Sequence, residues 1–188
     1  MEFETIAIHA GQPPDPVYGA VMTPIYQVST FAYRDVGKPG PFDYSRSGNP
    51  TRKALEECLA ALEAGTAGFA FATGLAAETT LLALLGQGDH VIVHDDLYGG
   101  TYRLLVSVTA RQGVDVHFLD LRDLEALRGA IRPATRLIWA ETPTNPLMNL
   151  LDLRQERPPL GRVMCKNEIG VIGADARPVG GMANTSRP

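Results

Sequence analysis

Short apolar runs of strand character alternate with helix-patterned stretches through the middle of this chain, and that alternation restricts the fold more than any other feature. AGFAFA (67–72), HVIVH (90–94), VHFLDL (116–121) and TRLIWAET (135–142) are the strand-like runs. Between them, Leu75 to Leu85 reads as an apolar helix stopped by Gly86, about Tyr102 to Ala110 as a second helix, and LRDLEALRGAI (121–131) as an amphipathic third. Upstream, Asn49 is placed to cap a helix and Pro50 to open it, with Ala54, Leu55, Cys58, Leu59 and Leu62 at three- and four-residue steps until Gly65. Strands separated by helices pair in parallel and bury both faces. The expected class is therefore α/β, a mostly parallel sheet with helices on both faces.

The flanks differ from this middle. Residues 1–43 are rich in Pro and Gly and read as an extended N-terminal arm, a length of irregular chain that makes sense when it wraps over something else, such as a second subunit. After Leu153 the pattern stops: 154–188 holds Pro158, Pro159 and Pro178 and reads as an irregular tail. The expected organisation is an arm (1–43), a partial α/β domain (44–153) and that tail.

Composition removes several classes of function. The 188 residues are 45% hydrophobic and carry a net charge of −4, so no basic face exists for nucleic acid. The acidic N-terminus is unlike a secretory signal, and no apolar run approaches the roughly 18 residues that cross a bilayer, which gives an expectation of a cytoplasmic protein with no membrane partner. Cys58 and Cys165 are too few for a disulfide framework, and Cys58 is expected to be a buried, inert thiol. His90 and His94 have a helical ligand spacing, but HVIVH reads as a strand, where residues four apart lie about 13 Å from each other. No metal is expected.

Four motifs bear chemistry. ATGLAA (72–77) sits at a strand-to-helix turn, where free amides and the helix dipole favour an anion and Gly74 permits close approach; an ordinary βα connection reads the same way. DDLYGGTY (95–102) places Tyr98 just past HVIVH, on the sheet edge where open parallel sheets bind ligands, either to stack on a planar group or to pack in its loop. ETPTNP (141–146) offers Asn145 at the same edge between Pro143 and Pro146, whereas Glu141 has the setting of a solvent-facing or Arg-paired carboxylate. YSRSGNPT (44–51) puts Tyr44 and Arg46 two residues apart, on one side of an extended segment, with a guanidinium suited to phosphate or simply to the surface. Neither GxGxxG nor GxxxxGK[ST] occurs, which disfavours a nucleotide-binding module.

In this order, and with HAGQ (9–12) and AVMTPIYQVSTF (20–31), the motifs make residues from about 3 to 153 resemble the Cys/Met-metabolism family of pyridoxal-phosphate enzymes, the cystathionine γ-synthase and γ-lyase type among them. The resemblance implies the start of the large domain of such an enzyme and pyridoxal 5'-phosphate as cofactor. It implies that the amides of Gly74 and Leu75 hold the phosphate, that Tyr98 stacks on the ring and acts in catalysis, and that Asn145 lies near the ring hydroxyl. Tyr44 and Arg46 match residues that reach the phosphate of a neighbouring subunit, implying a homo-oligomer, a homotetramer in this family, acting on a small amino-acid substrate. Gly100 stands where methionine γ-lyases typically carry Cys.

The implied chemistry is transsulfuration: elimination or replacement at the β or γ carbon, with the cofactor as electron sink and a lysine as its covalent anchor. The family continues past ETPTNP into an Asp for the ring nitrogen and a Ser-x-Thr-Lys segment, and this chain continues differently. Lys38, Lys53 and Lys166 are its lysines, none in a matching context. The expectation is a truncated or frame-shifted copy, inactive alone; the alternative is a non-catalytic remnant that associates with full-length subunits or binds phosphate ligands.

Overall fold

A computed structural model describes residues 2–151, 163–166 and 171–173, which fall into two compact units divided between Phe71 and Ala72.

The first unit contains helices α1 (Phe3–His9) and α2 (Pro50–Leu62) and a small antiparallel pair of strands, β1 (Gly68–Ala70) with β6 (Val171–Gly173). Helix α2 begins as expected, with the Asn49 side chain accepting from the Thr51 amide and Pro50 in the first turn. The same end anchors the irregular chain before it: Thr51 Oγ1 accepts from Tyr26 N (3.0 Å) and donates to Pro24 O (2.9 Å), and Asn49 Nδ2 donates to Tyr26 O (3.0 Å). Gly11 must be glycine, because its φ is +71° and a Cβ there would meet Ala54 O of α2 at 2.5 Å. Val17, Tyr18, Val21, Met22 and Ile25 are all exposed.

Three expectations need correcting here. The arm is not irregular throughout, since α1 forms inside it; the FETIAIH run has no clean apolar face to announce a helix. Strand β1 is shorter than 67–72 and not buried: Phe69 is 55% exposed, because β1 pairs with β6 rather than joining the parallel sheet. Cys58 is half-buried, with its Sγ 3.9 Å from Ala7 O of α1.

The second unit is a four-stranded parallel sheet in the order β3-β2-β4-β5, with β2 at His90–His94, β3 at Asp115–Leu119, β4 at Thr135–Glu141 and β5 at Val163–Lys166. Alternate residues feed opposite faces. On one side Val91, Val93, Leu137 and Trp139 pack with Leu82, Leu97, Leu105 and Val114; on the other Ile92, Ile138 and Ala140 pack with Leu121, Leu127 and Leu151. Helix α3 (Gly74–Leu82) and the segment from α4 (Gly99–Leu104) cover the first face, and α5 (Leu124–Ala130) the second. Every residue of β2 is buried, as a central parallel strand requires. The α/β class with both faces covered is what the alternation predicted.

The second helix departs from its expected span. It starts at Gly99 rather than Tyr102 and changes to a π-helical turn at Leu105–Thr109, where the β-branched Val106, Val108 and Thr109 crowd an α-helical ladder. Within the tail expected to be irregular, 163–166 and 171–173 form strands, and VMC and VIG are apolar runs of strand character. The rest of the tail lies outside the described residues.

Candidate functional site

Strand β2 passes to β3 on one side and β4 has β5 on the other, so the chain leaves the carboxyl ends of β2 and β4 in opposite directions. Such a switch point opens a crevice between two loops, the usual ligand position in an open α/β sheet. Here the loops are residues 95–98 and 142–149.

They are tied together by one buried carboxylate. Asp96 Oδ2 accepts from Thr144 Oγ1, from Leu147 N (3.2 Å) and from Asn149 Nδ2 (3.2 Å), while Thr144 Oγ1 accepts from Asn149 N (2.8 Å). A charged acceptor satisfied by three donors fixes the loop that carries Asn145, whose own side chain is exposed. Asp96 and Thr144 lie inside the DDLYGGTY and ETPTNP motifs, yet neither stood out in the sequence, because their pairing spans 48 residues.

Two helices open toward this edge. Helix α4 starts directly after β2, with Tyr98 as its N-cap and no capping bond from the Tyr98 side chain. Glu141, at the end of β4, supplies the missing anion: it is 4% exposed and its Oε2 accepts from Tyr98 N at 3.1 Å. The solvent-facing setting expected of Glu141 is corrected accordingly. Helix α3 runs toward the amino end of β2, so its first turn lies on the carboxyl side. One turn in, Glu78 Oε2 accepts from Thr101 Oγ1 at 2.8 Å, joining α3 to the Tyr98 loop. At its mouth Thr73 Oγ1 accepts from Ala76 N (3.1 Å), and a Cβ at Gly74 would meet nothing within 4 Å. The mouth of α4 is filled by the protein's own carboxylate; the mouth of α3 faces open space.

Tyr98 itself is 41% exposed. Its ring lies over Gly100, where a Cβ would come within 3.0 Å of Tyr98 Cδ1 and closer still to the next ring carbon. Thus Gly74, Leu75, Tyr98 and Asn145 belong to one unit. Tyr44 and Arg46 belong to the other unit. Residues 45–47 form a turn rather than an extended segment, with Ser47 N and Gly48 N donating to Tyr44 O, and the Arg46 guanidinium still stacks on the Tyr44 ring at 4.9 Å. Arg52 braces that turn by donating to Ser45 O (3.2 Å) and Ser47 O (3.1 Å), a role its sequence position did not reveal.

Among the described residues, one compact His/Asp group occurs at this edge. His94, Asp95 and Asp120 place ligand atoms within 4.8 Å of one another. Asp95 approaches Nδ1 of His94 (3.0 Å) and Asp120 approaches Nε2 (3.9 Å), so the carboxylates flank opposite ring nitrogens rather than converging on one point. The Arg122 guanidinium grips Asp120 and holds its carboxyl down to about 2, which commits that group already.

Comparison with known proteins decides the family. The model of the Cys/Met metabolism PLP-dependent enzymes matches residues 4–157. The chain belongs to that family. This Cys/Met metabolism chain is 57% identical over 148 residues to a probable cystathionine gamma-synthase of Herpetosiphon aurantiacus, covering 79% of this chain and 46% of the relative. It is 51% identical over 151 residues to the cystathionine beta-lyase of Coxiella burnetii, covering 80% and 39%. Its fold matches the crystal structure of cystathionine gamma-lyase from Lactobacillus plantarum complexed with L-serine, with a TM-score of 0.74, 49% identity, and coverage of 80% and 39%. The Cys/Met metabolism chain therefore spans less than half the length of these relatives.

The residues at the edge fit the family's cofactor. A phosphate needs amide donors and room, which the α3 mouth offers at Gly74, and a flat ring needs an accessible aromatic face, which Tyr98 presents.

Proposed function

We propose that this chain is the cofactor-binding portion of a transsulfuration enzyme of the cystathionine γ-synthase or γ-lyase type, which eliminates or replaces a sulfur or oxygen substituent at the β or γ carbon of an amino acid. The observation that carries the reading is the contrast between the two helix mouths at the switch point, one filled by Glu141 and one open at Gly74. Of these two mouths, the one at Gly74 has room for an incoming phosphate.

In this reading the amides of Gly74 and Leu75 bind the phosphate, Tyr98 stacks on the ring and helps the leaving group depart, and Asn145 meets the ring hydroxyl. The exposed Tyr44–Arg46 pair on its braced turn serves the phosphate of a neighbouring subunit in a homotetramer, with the arm (1–43), the partial cofactor domain (44–153) and the tail (154–188) as working parts. The location is cytoplasmic; among the described residues no helix is long and apolar enough to cross a membrane. When bound, pyridoxal phosphate supplies the electron sink for carbanion chemistry.

The 188-residue chain by itself is expected to bind the cofactor without turning over cystathionine. Lys38 pairs with Asp35 at 3.1 Å and Lys53 with Glu57 at 3.4 Å, both on the surface, and the backbone of Lys166 is in register with Glu141. The test titrates the purified chain with pyridoxal phosphate, following quenching of its single tryptophan, Trp139, and then traps any lysine adduct with borohydride for peptide mapping. Saturable quenching without turnover is expected, and its absence overturns the cofactor reading. A lysine adduct together with cystathionine turnover overturns the inactivity.

Those lysine settings also favour a second reading, a remnant that lends Tyr44 and Arg46 to full-length subunits. Mixing the chain with an intact relative whose matching arginine is replaced distinguishes the two, because only lending restores activity.

A further inference from the structure

The half-exposed Tyr98 ring projects from a backbone that is fixed on both flanks. Before it, the Tyr98 amide donates to the buried Glu141 carboxylate; after it, Thr101 donates to the buried Glu78. Between these points Gly100 leaves the ring its resting place. Glu141 lies two residues past the last paired position of β2 and β4, Val93 with Trp139, and four residues before Asn145. The strand that leads into the Asn145 loop therefore also sets where the phenol starts.

We propose that Glu141 is a positioning residue: by accepting from the Tyr98 amide it registers the phenol ring to β4, so that the stacking ring and the Asn145 amide hold one fixed spacing. A charge-assisted bond in a buried setting suits this, since it is strong and directional where an exposed bond would exchange with water. The inference rests on Tyr98 being the stacking residue, and the experiment separates the two.

The full chain is prepared as wild type, E141L, E141Q, Y98L and Y98L/E141L. Pyridoxal phosphate affinity is read by Trp139 quenching, and the Tyr98 environment in the free protein by fluorine NMR after 3-fluorotyrosine labelling, with Y98L assigning the resonance. E141L should weaken affinity about tenfold, the effect of losing one hydrogen bond to a charged group. In the Y98L background the same change should add nothing, because no ring remains to be positioned. A merely structural role would instead weaken both backgrounds equally, and that result overturns the inference. In the free protein E141L should move the Tyr98 resonance toward the solvent-exposed tyrosines and leave the others in place. E141Q keeps an acceptor and the same size, guards against a folding defect, and should move it part of the way. A Tyr98 resonance unmoved in every folded variant sinks the proposal whether or not the cofactor binds. A moved resonance in a protein that binds no pyridoxal phosphate keeps Glu141 as positioner and discards the cofactor reading.

Discussion

At the residue scale, Gly100 and His90 make the sharpest predictions. The methyl of G100A would stand where the Tyr98 ring now lies, so the ring must leave; pyridoxal phosphate affinity should fall roughly threefold to tenfold, the range of one aromatic stacking contact, with little change in thermal midpoint. His90 is buried, its Nδ1 2.8 Å from Thr135 Oγ1, and burial pushes its pKa below the ordinary 6.5. The unfolded imidazole thus takes up a proton at a pH where the folded one stays neutral. Stability from this group is complete above about pH 6.5 and declines as the solution is acidified through it. Urea midpoints measured across that range should drop for wild type and drop less for H90Q; parallel curves would remove His90 from the account.

At the element scale, the mouth of α3 depends on its cap. Replacing Thr73 by Ala removes the acceptor for Ala76 N and should cost about 1 kcal/mol in denaturant unfolding. If α3 also cradles the phosphate, T73A weakens cofactor binding as well, whereas a cap with no binding role leaves the affinity untouched. Local devices of this kind were legible in the sequence: Asn49 and Pro50 announce α2, and the β-branched HVIVH announces the buried strand β2. The places of Tyr98 after β2 and Asn145 after β4 followed from the alternation of elements, whereas β1, the strand before Gly74, was expected in the parallel sheet and is not there. What stayed hidden is what joins distant segments. Glu141 meets Tyr98 across 43 residues and Asp96 meets Thr144 across 48, and no local period encodes such pairs. Helix α1 and the π-helical turn were missed for a different reason, since neither sequence carries a clean apolar period.

At the scale of the whole molecule, the apolar surface of the first unit invites self-association. Val17, Tyr18, Val21, Met22 and Ile25 are exposed within one short stretch, more than a monomer ordinarily shows to water. Sedimentation velocity should reveal concentration-dependent association that the V21K/I25K double variant suppresses; a wild-type monomer at every concentration argues against the oligomeric reading. The carboxylate lodged in the mouth of α4 also shapes how the chain responds to its salts. Sulfate and inorganic phosphate, which gather at unoccupied helix ends, find that berth already taken and are left to contend with the cofactor at Gly74. Sulfate should therefore displace pyridoxal phosphate in simple one-for-one competition, so buffer composition sets the apparent affinity and a salt-free measurement gives the tightest value.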